Sequence, residues 1–487
     1  MRFLFIGFPT TVFPEIVDVA KELKKRGHKI VHWVRASGFA PDLPEEIKSL
    51  VEFRWNYEWS DEKNPWVINN MEKIPPLDAE DLSYFAPYES TILYQLNRIY
   101  PNHKVPELYR NYYEYLRCWK GLFLNLKPDI VVFRTIPHEP TNTIIFHLAK
   151  KMGIKTLIFN QLWVSDRILP MSDFEQGTAD LRQYKESISG NVNLDELSPD
   201  LLDYYQSQTS KTKDNTPVYM PNIMSSYTIS GRTLSRIRSL FRKDLHRGFW
   251  YRLTSSFRLF FFWLGSRLSR ELPSLYKKLS SEPDMTKPFV YFPLHFQPEL
   301  STNPVGGIFR DQLMALELLA ASLPVGWEIY VKEHPTQWKV GSSRHNSYRP
   351  KNYYHSITKF SSVKLVPIET DSFELISKSR SVSVISGTAG WEALLRGKPV
   401  MIFGYPWYQD APGAYRVEDL SSCKDAFEKI EKGEMFDQKE MLQYLKSLDE
   451  LSFRGCLDLE YRSDLNFFKL TKEEHANNIL EAILKNI

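Results

Sequence analysis

The sequence predicts an α/β chain built from two doubly wound domains. Three observations carry this. An apolar strand, an amphipathic helix and a second apolar strand open the chain (Phe3 to Phe8, Pro14 to Lys25, Lys29 to Val34). From residue 288 a second series of strands and helices alternates. Within it, the strand Val382 to Ile385 runs into Ser386-Gly387-Thr388 and then a helix that closes at Gly397. Apolar runs of strand length that alternate with helix-period segments are the pattern of parallel sheets covered by helices.

After the opening β-α-β unit, the stretch from Val51 to about Lys104 is rich in Trp, Tyr, Pro and Asn and shows no clean period. It reads as long loops with short helices. A helix follows over Glu107 to Leu124, then a strand (Asp129 to Phe133), a helix (Thr141 to Met152) and a strand (Lys155 to Phe159). The first domain thus spans 1–225. Residues 231–282 hold twelve Lys and Arg against three acids, together with Phe249, Trp250, Tyr251 and the run Leu259 to Leu264. This defines a basic, aromatic helical linker over 226–285. It reads either as packing between domains or as a peripheral contact with anionic lipid. The second domain, 286–487, has strands at Phe289 to Phe292, Glu328 to Lys332 and Val363 to Val366, and helices at Asp311 to Ala321 and Ser372 to Ser379. Lys398-Pro399 opens a further strand, and Lys472 to Leu484 is a terminal helix able to pack on either domain.

Composition narrows the function. A net charge of +3 argues against a dedicated nucleic-acid binder. Three widely spaced cysteines supply neither a disulfide framework nor zinc spacing, as expected of a cytoplasmic protein. The first fifteen residues read as a strand, not as a signal peptide. No run of eighteen apolar residues occurs.

The chemistry-bearing segments follow strands, where open α/β sheets bind ligands. Ser386-Gly387-Thr388 offers backbone N–H groups, two hydroxyls and a helix dipole to a phosphate, or is a plain helix cap. Glu392, one turn inside that helix, can accept from ribose hydroxyls. Glu333-His334-Pro335 ends a strand, so His334 can donate to a phosphate beside Lys332, with Pro335 fixing the turn. His295, Gln297 and Glu299 follow the first strand of the second domain, with Glu299 placed to act as base or nucleophile. Asp311 is a helix cap. His138 and Glu139, after a strand of the first domain, can meet an acceptor, giving a carboxylate on each domain for acid–base work. Tyr408, in Tyr405-Pro406-Trp407-Tyr408, can stack on a sugar or base, or simply pack. No Asp-x-Asp metal motif stands in these segments, so metal-independent chemistry without a cofactor is expected.

Two doubly wound domains facing a central cleft form the GT-B layout. The second domain resembles the bacterial capsule polysaccharide synthesis family, which includes β-Kdo transferases. The residues that carry the resemblance are Phe292-Pro293-Leu294 and Gln297, an acid at Glu299, His334-Pro335, and Ser386 to Val400 with its Trp391-Glu392-Ala393-Leu394 and Gly397-Lys398-Pro399-Val400. It covers roughly 288–410. The chain departs from the family pattern where Glu299 replaces an aspartate and His295 a glutamine. The resemblance implies that His334, Ser386 and Thr388 hold the nucleotide phosphate and that Glu299 takes part in chemistry. It implies a glycosyltransferase of capsular or lipopolysaccharide synthesis. A CMP-linked ulosonic acid such as Kdo is one candidate donor, and the acceptor is a glycan, free or lipid-linked. A UDP-hexose transferase, a nucleotide-sugar epimerase on the same fold, and a non-catalytic glycan- or membrane-docking protein remain the alternatives. The cytoplasm, or the inner face of the plasma membrane, is the expected location.

Overall fold

The structure is a computed structural model. It describes residues 1–34, 45–52, 72, 74–188, 190–210, 271–297, 300–335, 337, 348–434, 436–458 and 470–487. The chain divides into two compact units, Met1–Tyr204 with Leu442–Ile487, and Tyr205–Met441. Twelve strands are described: β1 (Arg2–Ile6), β2 (Lys29–Val34), β3 (Ile130–Phe133), β4 (Lys155–Gln161), β5 (Arg167–Met171), β6 (Phe289–Pro293), β7 (Glu328–Lys332), β8 (Val363–Leu365), β9 (Ser381–Val384), β10 (Val400–Ile402), β11 (Ala414–Arg416) and β12 (Phe453–Arg454).

The first sheet runs β12-β5-β4-β3-β1-β2. Its β4-β3-β1-β2 part is parallel and is buried on both faces, which is why these strands read as unbroken apolar runs. β5 returns antiparallel through a tight turn in which Ser165 and Asp166 take positive φ, and β12 pairs antiparallel with β5. Phe5 stacks on Trp33 at 4.9 Å, and the Trp33 indole N–H donates to Phe8 O at 2.9 Å, so a bulky aromatic core also satisfies its one polar atom. The second sheet runs β11-β10-β9-β6-β7-β8 and is parallel throughout.

Three sequence expectations change. First, the end of the chain joins the first unit, not the second. The helix Lys472–Lys485 buries Ala476, Ile479, Leu480 and Ile483 against Ile16, Val17, Ala20 and Leu23 of the helix Ile16–Lys25. Each Ile, Leu or Val side chain among them contributes about 1.5–3 kcal/mol when fully buried. His475 adds a polar lock: its Nδ1 lies 2.6 Å from the Glu15 carboxylate, and its Nε2 accepts the Cys456 N–H at 3.2 Å. Second, the division between the units falls at 204/205 rather than 225. Residues 211–270, and with them most of the basic segment, lie outside the described residues; its end, 271–285, is described and contains the helix Glu271–Leu279. No helix among the described residues is long and apolar enough to cross a membrane.

Third, the stretch expected to be loops with short helices contains a helix of 21 residues, Ala79–Ile99, with Pro87 inside it. Residues 53–71 and 73 lie outside the described ones. Its start is fixed by a capping box between Asp78 and Asp81. Asp81 is buried and bridges Lys120 and Lys151, each at 2.5 Å. Burial pushes its carboxyl up, but the hydrogen bonds from Lys120 and Lys151 outweigh this and hold it below the usual range. Asp81→Asn is therefore expected to cost about 1–3 kcal/mol in urea unfolding at pH 7. The sign of the pH dependence follows. A carboxyl lowered in the folded state stabilises above its unfolded pKa, and this is lost as pH falls through the folded value. The gap between wild type and variant should thus close below about pH 4. An unchanged gap at pH 3 would contradict the ion-pair account.

Candidate active site

In the second sheet β6 lies between β7 and β9. The chain proceeds from β6 to β7 and β8 on one side, then crosses to β9, β10 and β11 on the other. The loops leaving β6 and β9 therefore diverge at the carboxyl edge, the topological switch point where such sheets bind ligands. There the structure brings His295 and Ser386 together, 91 residues apart, with the Ser386 N–H donating to His295 Nε2 at 3.1 Å.

That contact revises the reading of the phosphate turn. The Ser386 N–H is taken by His295, and the Ser386 hydroxyl donates to Ser301 O at 2.6 Å. Ser386 is a brace of the turn, not an open donor. The N–H groups of Gly387, Thr388 and Ala389 make no hydrogen bond among the described residues, as expected at the start of the helix Thr388–Leu395. Since His295 Nε2 accepts, its proton sits on Nδ1. That N–H is buried and has no partner.

Tyr408 is also a brace. Its ring is buried, and its hydroxyl donates to the Gly387 carbonyl, so it cannot stack on a ligand face. Gly390 makes room for it: a Cβ there would lie 2.5 Å from the Tyr408 oxygen. Gln297, expected to touch sugar, is likewise buried and committed. Its amide donates to Arg310 O at 3.0 Å, and its carbonyl accepts from Gln312 and Arg349. The Lys332 amine is bound by Thr370 O and by the Ser372 hydroxyl at 2.9 Å. Asp311 caps its helix by accepting from Leu313 N at 3.1 Å. Glu299 lies outside the described residues.

Beneath the two loops lies a polar network that sequence reading missed. Arg349 and Glu333 are fully buried and paired through two contacts, at 3.0 and 3.1 Å. Arg349 also donates to His295 O at 2.7 Å and to the Gln297 side chain. Glu333 accepts from the Tyr354 hydroxyl at 2.7 Å and from the His334 N–H, while its own N–H donates to Tyr276. Gln312 and Gln337 clamp the backbone of His295 and Gln297. One guanidinium thus ties the His295 loop to the turn that carries His334 and Pro335. A lone Tyr-Arg-Pro, flanked by residues with no period, gave no signal of this.

Burial dominates the electrostatics here. It lowers His295 to about 3 and His334 to about 4, so both are neutral donors near pH 7. The His334 ring lies beside Phe296, with centroids 5.8 Å apart. Burial raises Glu392 to about 7, only partly opposed by Arg396 at 3.9 Å.

At the carboxyl edge of the first sheet, β1 and β3 form the corresponding switch point. Arg134 follows β3, and Glu139 occupies the cap position of the helix Pro140–Lys151. His138 is half-buried, and its Nδ1 donates to Ile136 O at 2.9 Å. Burial lowers His138, against the raising influence of Glu139, so its Nε2 is a neutral acceptor.

Residues 301–445 match the family model described as capsule polysaccharide biosynthesis protein. That segment, under a third of the chain, is what the chain shares with the family. The match takes in the Ser386 turn, Glu392 and His334-Pro335, and it supports the expected glycosyltransferase. No curated protein matches the chain. Among solved structures, it is similar to the β-Kdo 2,7 transferase of KpsC from Thermosulfurimonas dismutans, with 12% identity and a TM-score of 0.31 over 80% of this chain and 95% of that one. A glycosyltransferase from Rickettsia africae gives 12% and 0.28 over 96% and 97%. The UDP-GlcNAc 2-epimerase of Methanocaldococcus jannaschii gives 12% and 0.25 over 91% and 98%. All three likenesses are distant.

Proposed function

We propose that this chain is a glycosyltransferase of capsular or lipopolysaccharide synthesis. It takes a sugar from a nucleotide donor bound at the switch point of the second sheet and passes it to a glycan or lipid-linked acceptor. One observation carries the reading. Three unbonded N–H groups at a helix start, inside the segment that the capsule family model matches, and the partnerless N–H of a buried, neutral histidine just before that segment stand at one sheet edge. Backbone donors held in this way favour an oxyanion and need no reorganisation as charge builds on it.

In this reading the donor phosphate sits on Gly387, Thr388 and Ala389. His295 Nδ1 and His334 donate to it or to the sugar beside it. Either Glu299 takes the proton of an acceptor hydroxyl as that oxygen attacks the anomeric carbon and the bond to the phosphate oxygen breaks, or Glu299 itself displaces the phosphate and the deprotonated acceptor oxygen then displaces Glu299, its proton passing to the departing phosphate. Ser386, Tyr408 and Gln297 hold the site's shape, and no metal ion takes part. A CMP-linked ulosonic acid is the donor favoured by the motif resemblance.

A thermal-shift screen with CMP, UDP, GDP and CDP tests this, because binding to the folded state raises the midpoint by mass action. A shift with CMP supports the ulosonic acid donor. A shift with UDP moves the case to a hexose transferase or an epimerase. No shift with any nucleotide would sink the transferase reading.

Glu392 gives the site a pH signature. Ribose hydroxyls donate to its ionised form, so binding is full above pH 7 and weakens below, as the carboxyl takes up a proton. Nucleotide Kd is expected to rise about tenfold from pH 8 to pH 6. Glu392→Gln should flatten the profile. A profile still sloping in that variant would remove Glu392 from the site.

A further inference from the structure

Arg134 is 8% exposed, yet no carboxylate lies within ion-pair distance of it among the described residues. Buried charges are ordinarily paired, and a guanidinium has five N–H donors to satisfy. Here Nε donates to Gly7 O at 2.6 Å and Nη1 to Leu457 O. Nη2 makes no hydrogen bond among the described residues and is not sealed from solvent. The guanidinium is therefore fixed in direction, with Nη2 left unbonded and in reach of solvent, and the second N–H of Nη1 beside it.

The place matters as much as the charge. Arg134 follows β3 and touches Gly7, which follows β1, so it stands at the switch point of the first sheet. Gly7 turns away there with φ +82°, a backbone conformation that side chains rarely adopt. The Phe13 ring lies 5.9 Å from the guanidinium carbon. His138 is near enough to feel the charges of both Arg134 and Glu139.

We infer that Arg134 anchors a planar or tetrahedral oxyanion, a carboxylate or a phosphate carried by a sugar, at the switch point of the first sheet. Arg suits this because its rigid fork meets two oxygens at once. That the bound sugar is the acceptor rests on the transferase reading; the anion site itself does not.

The test uses the full chain and three probes: methyl glucuronide for the carboxylate, glucose 1-phosphate for the phosphate, and methyl glucoside as the neutral control. Thermal midpoints are read for wild type, R134M, R134K and H334A. At least one anionic probe is expected to raise the midpoint of wild type and of H334A alike, while the neutral sugar does not. A response to one probe alone names the source of the anion. R134M should lose the shift, and R134K should weaken binding about tenfold by losing the fork. If R134M does not fold, R134K decides. An R134K affinity equal to wild type, a shift kept in R134M, a shift lost in H334A, or no shift with either anion overturns the site. None of these outcomes touches the nucleotide screen, which reads the second unit.

Discussion

Arg349→Met is expected to lower folding stability by about 3–5 kcal/mol, the usual range when one partner of a buried ion pair is removed. Methionine keeps the arginine stem out to about Nε, so the loss is that of the guanidinium head, its volume and its hydrogen bonds. Glu333 would remain fully buried with a charge and without its fork. Tyr354 and the His334 N–H would be its remaining donors. The carbonyl of His295 and the side chain of Gln297 would each lose a donor as well. Urea unfolding at pH 7 measures the cost. The double variant Arg349→Met with Glu333→Gln should be less damaged than the sum of the single changes, because the second change removes the stranded charge. A loss below about 1 kcal/mol in the single variant, or plain additivity in the double, would contradict the account. Arg349→Lys should recover only part of the stability. One ammonium cannot meet Glu333, His295 O and Gln297 together.

The sheets were readable in the sequence because parallel strands buried on both faces are apolar throughout. Val131, Val132, Val382 and Val384 needed no partner to be recognised. The helix Ala79–Ile99 was not readable. Its buried face includes Asp81 and Gln95 beside Phe85, Ile92 and Leu96, so polar residues interrupt the apolar stripe. The docking of Lys472–Lys485 was open for a different reason. Its apolar face specifies burial, but burial against the helix Ile16–Lys25 is a fact of topology.

The same divide runs through the site. That Ser386, His334 and Thr388 lie at the carboxyl edge was legible because each follows a strand, and strand ends are legible. The hydrogen bonds of Ser386 and Tyr408 were not, since the partners of Ser386 lie 91 and 85 residues away. Residue type suggested ligand contacts for Gln297 and Tyr408, whereas their partners make them supports. A buried polar side chain at a sheet edge reads alike in sequence whether it meets a ligand or holds the residue that does. Only the count of its satisfied hydrogen bonds separates the two. By that count the His295 ring nitrogen Nδ1 has no partner, whereas the Gln297 side chain is bonded through both its nitrogen and its oxygen.

Gly387→Ala is expected to weaken nucleotide binding at least tenfold, about 1.4 kcal/mol or more, with little change in global stability. The backbone of Gly387 is extended, at φ −73° and ψ 158°, so alanine meets no conformational strain. The obstacle is His295. A Cβ on residue 387 would stand 2.8 Å from His295 Nε2, closer than such contacts allow. The ring cannot swing aside cheaply, because that nitrogen holds the Ser386 N–H and the His295 backbone is clamped by Gln312 and Arg349. The turn cannot retreat freely either, since Tyr408 holds the Gly387 carbonyl. The methyl group must therefore displace the three N–H groups proposed to face the phosphate, and a small misplacement at such a site costs binding out of proportion to its size. Ser386→Ala makes the contrast. It removes one hydroxyl whose hydrogen bond is internal, so Kd should rise only about fivefold or less. Calorimetric titration of both variants, with whichever nucleotide raises the wild-type midpoint, separates the cases. If Gly387→Ala binds as wild type does, the phosphate does not sit on this turn.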